Sequence, residues 1–220
     1  AEHQNTIEEA VKAYPDAKWR IVTIHQDIYG SGLDHSDTDG MILRTQLTPV
    51  FDANDIDVVL QGHDHTYSRS KMLYGDGQTH EKYEFSLNAD GTDYDWEHAT
   101  NVDTGDQITL SPEEGDTDAE AALDAFHEDN NCYTIEDVDG NTVTDSQGIL
   151  YMTANSASGS KYYELINSQQ DYIEVRSQNW LPSYSVIDLT KDDFKITTYQ
   201  ITDDGSVEPI DDTFTITKTK

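Results

Sequence analysis

The chain has one cysteine, Cys132, in 220 residues, so no disulfide can form within it. Cys132 lies in "HEDNNCYTIED", where neighbouring carboxylates oppose thiolate formation and argue against cysteine catalysis. No apolar run approaches the ~18 residues that a membrane-spanning helix requires. Basic residues are scarce: 13 Lys and Arg stand against 44 Asp and Glu, for a net charge of −31. A surface of that sign repels nucleic acid and anionic membranes, so neither is expected as a partner, while cations are attracted. The first residues, "AEHQ", contain neither an initiating methionine nor a signal peptide. The expectation is that something was removed upstream or that the chain is a fragment.

Apolar residues make up 35% of the chain and aromatic residues 10%, including 13 tyrosines. That suffices for a packed core and excludes wholesale disorder. Acidity of this degree suits solubility in a salty or extracellular setting, and the expected location is secreted or at the cell surface.

"AEHQNTIEEAVKAYPDAKW" predicts a helix with Ile7, Ala10, Val11 and Tyr14 on one face, ended by Pro15. "WRIVTIH" and "IDVVLQG" each predict a short buried strand. Between them, "QDIYGSGLDHSDTDG" is a loop. "MILRTQLTPVFDAND" predicts a helix with Met41, Leu43, Leu47, Val50 and Phe51 as core candidates. Helix alternating with strand points to an α/β arrangement with parallel strands. Residues from about 75 to 148 are acidic and punctuated by glycine. They form an insertion, either a mobile acidic loop or a structured lid, with a short helix in "GDTDAEAALDAFHED". From Ile149 onward, "ILYMTANSASGS", "YSVIDLT", "FKITTYQIT" and "TFTITK" predict strands, mostly antiparallel.

Histidines fall where two strands end. His25 follows "WRIVTI", and His63 and His65 follow "VVLQG". Ligands collect at the carboxyl ends of strands in α/β sheets, and neutral imidazole is the commonest metal ligand. In an extended segment His63 and His65 point to the same side, so two adjacent ions could each take one. Gly62 eases the turn, and Asp64 points away to hold it. His3, His80, His98 and His127 sit in polar segments and are expected to be exposed.

These residues resemble the calcineurin-like metallophosphoesterases, and purple acid phosphatase-like members in particular. The resemblance rests on His25, His35, Leu43-Arg44 and the run Gly62-His63-Asp64-His65-Thr66-Tyr67-Ser68-Arg69, with weaker support from "GILYMTANSASGSKYY". It implies an α/β/β/α sandwich with a mixed sheet and an antiparallel C-terminal region. Residues 1–220 would be one partial domain of that kind, carrying the insertion at about 75–148. The resemblance further implies a centre of two metal ions (Fe, Zn or Mn), roughly 3.5–4 Å apart, that hydrolyses a phosphate ester with an activated water. His25 and His63 would bind one ion and His65 the other. His35 would face the substrate phosphate and assist the leaving group, unless it is a plain loop histidine. Tyr67 and Arg69 would be structural.

The family's first three motifs, which supply an Asp ligand, a bridging Asp, an Asn ligand and a catalytic His, are not found. Three imidazoles alone cannot balance two multivalent cations. Asp27, Asp34, Asp37 and Asp39 lie nearby in sequence but match no ligand of the family. The chain therefore resembles about half of an enzyme core, inactive alone. Its partner would be the missing N-terminal half or a second copy, covering an open sheet edge. Two other readings stay open. One is a non-catalytic interaction module with a vestigial metal site. The other is an acidic calcium module suggested by "DHSDTDG" and "DVDGN", which lack the full oxygen-ligand series.

Overall fold

The computed structural model describes every residue except 1, 34–37, 79, 93, 96 and 111, together with the backbone but not the side chains of Thr38 and Asp39. In chain order the elements are α1 (Glu2–Ala13), β1 (Ile21–Thr23), α2 (Thr38–Ala53), β2 (Val58–Gln61), β3 (Tyr67–Gly75), β4 (Tyr83–Glu84), β5 (His98–Asn101), β6 (Gln107–Thr109), α3 (Thr117–Asp129), β7 (Tyr133–Ile135), β8 (Thr142–Thr144), β9 (Ile149–Ala154), β10 (Ile173–Ser177), β11 (Ser183–Leu189), β12 (Asp193–Ile201), β13 (Val207–Pro209) and β14 (Phe214–Thr217).

The main sheet runs β1-β2-β9-β3-β10, with β7 added on β3. β1, β2 and β9 are parallel, in a register that aligns Val22 with Val59 and Val59 with Tyr151. β3 is antiparallel to both β9 and β10. Side chains alternate across this sheet as pleating requires. Val59 and Tyr151 face α2, where they meet Ile28, Tyr29, Leu47 and Phe51. Val58, Leu150 and Met152 face the other way, toward Phe194, Ile196, Phe214 and Ile216 of a second sheet. That second sheet runs β11-β12-β14-β8 with β13 on β12, and only the β14–β8 pair in it is parallel. The described residues thus stack helix on mixed sheet on mostly antiparallel sheet, a layered arrangement in which each sheet buries one face on the other.

Short apolar runs form β2 and β9 because both of their faces are covered. β3 has no such run. Its Ser68, Arg69 and Ser70 are buried, and its centre is held by polar pairing: Arg69 Nε (2.6 Å) and the Tyr67 hydroxyl (2.9 Å) both donate to Asp211. α1 buries no residue. Ile7 packs on the core, but Tyr14, expected on the same face, is 72% exposed, because the helix ends at Ala13 and the chain turns there. β1 lies at the edge of the main sheet, with Ile21 exposed.

Within the acidic stretch, β4, β5 and β6 form a three-stranded sheet of their own. α3 is capped by the Asp116 carboxylate, which accepts from the Ala119 amide. Phe126 of α3 packs with Tyr83, Ala99 and Leu110, and this small core reaches α2 through Ile42. β7 and β8, further along the same stretch, join the two large sheets instead.

At the end of α2, burial raises the Asp52 carboxyl to about 6, with Asp76 adding to the effect and a hydrogen bond from the Gly75 amide opposing it. An unfolded aspartate titrates near 3.9. Between pH ~4 and ~6 the folded chain keeps a proton that the unfolded chain has lost, so this group's contribution to stability falls as pH rises through that window. Asp52→Asn is expected to gain about 1 kcal/mol at pH 7, after discounting for partial exposure, and nothing at pH 3.5. Urea melts of both proteins at the two pH values measure it, and an equal gain at both would exclude the proton linkage.

Candidate metal centre

β1 and β2 run side by side, so the residues that follow them emerge together. The Gly62 amide donates to the His25 carbonyl at 3.1 Å. A Cβ on Gly62 would stand 3.3 Å from that same oxygen, so glycine here permits a close backbone approach. The turn itself falls one residue later: His63 has φ +67°, a left-handed conformation that is uncommon outside glycine. The segment is therefore not extended, and the expectation that His63 and His65 share a side by strand alternation is corrected by this kink. His63 turns to His25, with Nδ1 3.2 Å from His25 Nε2 and ring centroids 5.0 Å apart. His65 takes another direction. Its Nδ1 donates to the Lys161 carbonyl at 2.8 Å, and its ring lies 5.1 Å from that of Tyr163. This bond fixes the proton on Nδ1 and leaves the lone pair on Nε2, the tautomer in which backbone carbonyls commonly orient metal-binding histidines.

Beneath the histidines the structure is buried and charged. The Asp64 carboxylate accepts from the Gly32 amide at 2.7 Å, which ties the histidine turn to the loop after β1. Asp27 is buried and accepts from the Thr153 hydroxyl at 3.0 Å. Burial first, and the adjacent Asp64 carboxylate second, hold the Asp27 pKa well above the ordinary range, and Arg44 opposes both. Arg44 is itself buried. Its Nε donates to the Ile28 carbonyl at 2.5 Å and its Nη2 to the Tyr172 hydroxyl at 2.8 Å. Its guanidinium lies 4.6 Å from the Tyr29 ring centroid and 4.7 Å from that of Tyr172, within cation–π range. Gln61 completes the support, bonding the Ile28 amide and the Tyr29 carbonyl at 3.0 and 2.7 Å.

The histidines test the fit of a metal. Two nitrogens on one ion, with metal–nitrogen bonds of ~2.05 Å, stand roughly 2.9 Å apart in an octahedron and 3.4 Å in a tetrahedron. The His25–His63 separation lies between these. Among the described residues, however, no group of three or more His, Cys, Asp or Glu side chains is placed to hold a metal ion. The same separation is that of an N–H···N hydrogen bond between the two rings.

His35, Asp34 and Asp37 lie outside the described residues, as does the Asp39 side chain. His80 is not exposed as expected: it bonds the Asp129 carbonyl at 2.8 Å and Asp76 at 3.0 Å, with its side chain 8% exposed. Burial pushes the Cys132 thiol up, in keeping with an unreactive cysteine. Sequence reasoning missed Gln178, whose amide nitrogen donates to the carbonyls of His65 (2.7 Å) and Tyr163 (2.5 Å); a lone glutamine gives no signal. A cavity of about 620 Å³ lined by Asp52, Asp76, His80 and Cys132 opens where β2 and β9 begin, away from the strand ends that carry the histidines.

No protein-family model matches the chain, and no curated protein matches it. Among solved structures it is similar to a purple acid phosphatase from yellow lupin (Lupinus luteus) seeds, with a TM-score of 0.51 over 96% of this chain and 11% sequence identity. The chain spans 28% of the lupin chain's length. The shared fold is thus a mixed α/β sandwich of the metallophosphoesterase kind. A Vps29 from Chaetomium thermophilum aligns over 90% of this chain and 98% of its own at 11% identity, with a TM-score of only 0.23, below what defines a common fold.

Two substitutions probe the support of this centre. Arg44→Met leaves the buried Ile28 carbonyl and Tyr172 hydroxyl without their donor and is expected to cost about 1–3 kcal/mol in urea unfolding; a loss under about 0.5 kcal/mol would show that the loop after β1 does not depend on it. A Cβ on Gly32 would fall 2.3 Å from Asp64 Oδ1. Gly32→Ala is therefore expected to break the Asp64–Gly32 bond at a cost of about 1–3 kcal/mol. The His63 and His65 ring resonances in NMR spectra should shift with it, and unchanged resonances would count against the tie.

Proposed function

We propose that the chain is the C-terminal part of a dinuclear-metal phosphoesterase that hydrolyses phosphate esters with a metal-activated water. The observation that carries this reading is the 3.2 Å approach of His25 and His63, made by residues 38 positions apart at the ends of two paired parallel strands. In this reading His25 and His63 hold one ion and His65 the other, with Fe, Zn or Mn as the metals. When bound, such ions polarise the phosphoryl group and supply a nucleophilic water at neutral pH. The chain's own residues do the rest. The Lys161 carbonyl fixes which nitrogen of His65 is free, Asp64 anchors the turn between the two histidines, and His35 is assigned to the phosphate and its leaving group. Neutral imidazoles bring no negative charge, so carboxylate ligands must join them. They are assigned to an upstream segment, or to a second copy, seated on the β1 edge. Residues 1–220 then form one partial domain with the acidic insertion at about 75–148. The substrate is a phosphate ester, nucleic acid and membranes are not partners, and the location is secreted or at the cell surface.

A second reading, a non-catalytic interaction module with a vestigial site, is favoured by the lack of a three-ligand group among the described residues. Calorimetric titration of the purified chain with Zn²⁺ separates them. A phosphoesterase half is expected to bind Zn²⁺ weakly, with affinity falling at least about tenfold in both His25→Ala and His63→Ala, and to hydrolyse p-nitrophenyl phosphate only when the upstream polypeptide is supplied. Zn²⁺ affinity untouched by both substitutions would sink the reading.

A further inference from the structure

Across the main sheet, Ala154 of β9, Tyr67 of β3 and Ser177 of β10 stand in one row of the register. The chain just beyond that row therefore emerges in three places side by side: Asn155 after β9, His65 before β3 and Gln178 after β10. Two of these segments turn sharply. Asn155 has φ +66° and Trp180 φ +57°, left-handed conformations that asparagine tolerates and tryptophan rarely adopts.

Gln178 joins all three segments. Its Nε2 donates to the carbonyls of His65 (2.7 Å) and Tyr163 (2.5 Å). Its Oε1 accepts from the Trp180 amide at 3.1 Å and from Asn155 Nδ2 at 3.4 Å. These partners fix which end of the amide is nitrogen, because the two carbonyls can only accept and the Trp180 amide can only donate. A carboxamide is the side chain that offers two donors on one side and an acceptor on the other. A carboxylate would keep the acceptor alone, and a hydrocarbon neither.

The two donated bonds reach His65 by separate routes. One holds the His65 carbonyl directly. The other holds Tyr163, whose amide donates to that same carbonyl at 3.4 Å and whose ring centroid lies 5.1 Å from that of the imidazole. Lys161, two residues before Tyr163, supplies the carbonyl that accepts from His65 Nδ1 at 2.8 Å. Gln178 thus acts at one remove. It places the acceptor that keeps the proton on Nδ1 and leaves the Nε2 lone pair open.

We infer that Gln178 is the positioning residue of His65, setting the direction and the tautomer of its imidazole. This rests on the phosphoesterase reading only for what Nε2 then binds. It adds to that reading a residue 113 positions away from His65, outside the histidine motif, on which the ligand depends.

The test is NMR of the full chain labelled with ¹⁵N-histidine, at about pH 8 where free imidazole is neutral, before and during titration with Zn²⁺. In the wild type His65 is expected as the Nδ1–H tautomer, and an Nε2–H tautomer overturns the assignment outright. Gln178→Glu keeps the acceptor for Trp180 and Asn155 and loses both donors. It is expected to mix the His65 tautomers and to weaken Zn²⁺ binding read at the His65 ring about tenfold. The His25 and His63 rings and the Trp180 indole should stay where they are. Gln178→Leu is expected to move His65 and Trp180 together. An unmoved His65 tautomer in both variants overturns the role. So do shifts of equal size at His25, His63 and His65 in Gln178→Glu, which mark general loosening. If the His65 tautomer responds to Gln178→Glu but Zn²⁺ leaves the wild-type His65 ring unmoved, Gln178 stands as its positioning residue and the phosphoesterase reading falls.

Discussion

Arg44 is the interaction on which the centre's architecture turns. It reaches from the middle of α2 into a buried space beside the Asp27 carboxyl, where its charge opposes the effect of burial on that group. A buried ion costs several kcal/mol to desolvate unless it is paired and hydrogen-bonded. Arg44 meets that demand through the Ile28 carbonyl, the Tyr172 hydroxyl and two ring faces. In doing so it clamps the loop after β1 to the chain leading into β10. The Tyr172 hydroxyl passes the contact on to the Gly30 carbonyl at 3.3 Å. Asp64 then carries the same rigidity to the histidine turn through Gly32.

This layering explains how a strained turn survives. His63 sits at a left-handed φ, which costs of order 1 kcal/mol or more for a residue with a Cβ. The conformation persists because both flanks are fixed: Gly62 by the His25 carbonyl, Asp64 by Gly32, and His65 by the Lys161 segment. The reward is geometric. An extended turn would send His63 away from the end of β1; the kink delivers its ring to His25.

What the sequence made legible, and what it did not, follows from the kind of force involved. β1, β2, β9 and the C-terminal strands were readable because burial on one or both faces demands apolar residues in a pattern. α2 was readable for the same reason. β3 was not, because its centre is polar and owes its place to Asp211, 142 residues from Arg69, a pairing that no local pattern announces. β10, "IEVRS", was equally silent: its Arg176 turns inward to the Ile166 carbonyl at 2.6 Å, so a charged residue stands in a half-buried strand. That His25 and His63 follow adjacent strand ends was readable, and the structure brings their rings together. The kink at His63 and the clamp by Gln178 were not readable, since both arise from backbone contacts between distant loops.

The acidity of the chain was easily read as an affinity for cations, and the structure separates that general attraction from a site. A surface rich in carboxylates raises the local concentration of cations over the whole molecule. A site requires donors that converge with their lone pairs free. Asp27 and Asp64, the carboxyl groups packed beneath the histidines, are committed to Thr153, to Gly32 and to each other. Turning either toward a metal would break a buried bond and leave a polar group unpaired, at a cost of about 1–3 kcal/mol. His25, His63 and His65 thus stand near two buried carboxyl groups whose Oδ2 atoms are held by Thr153 and Gly32. On the proposed reading, the carboxylate ligands of a dinuclear centre come from another segment of chain, and the edge of the main sheet at β1, next to His25, is where a further strand would bring them closest.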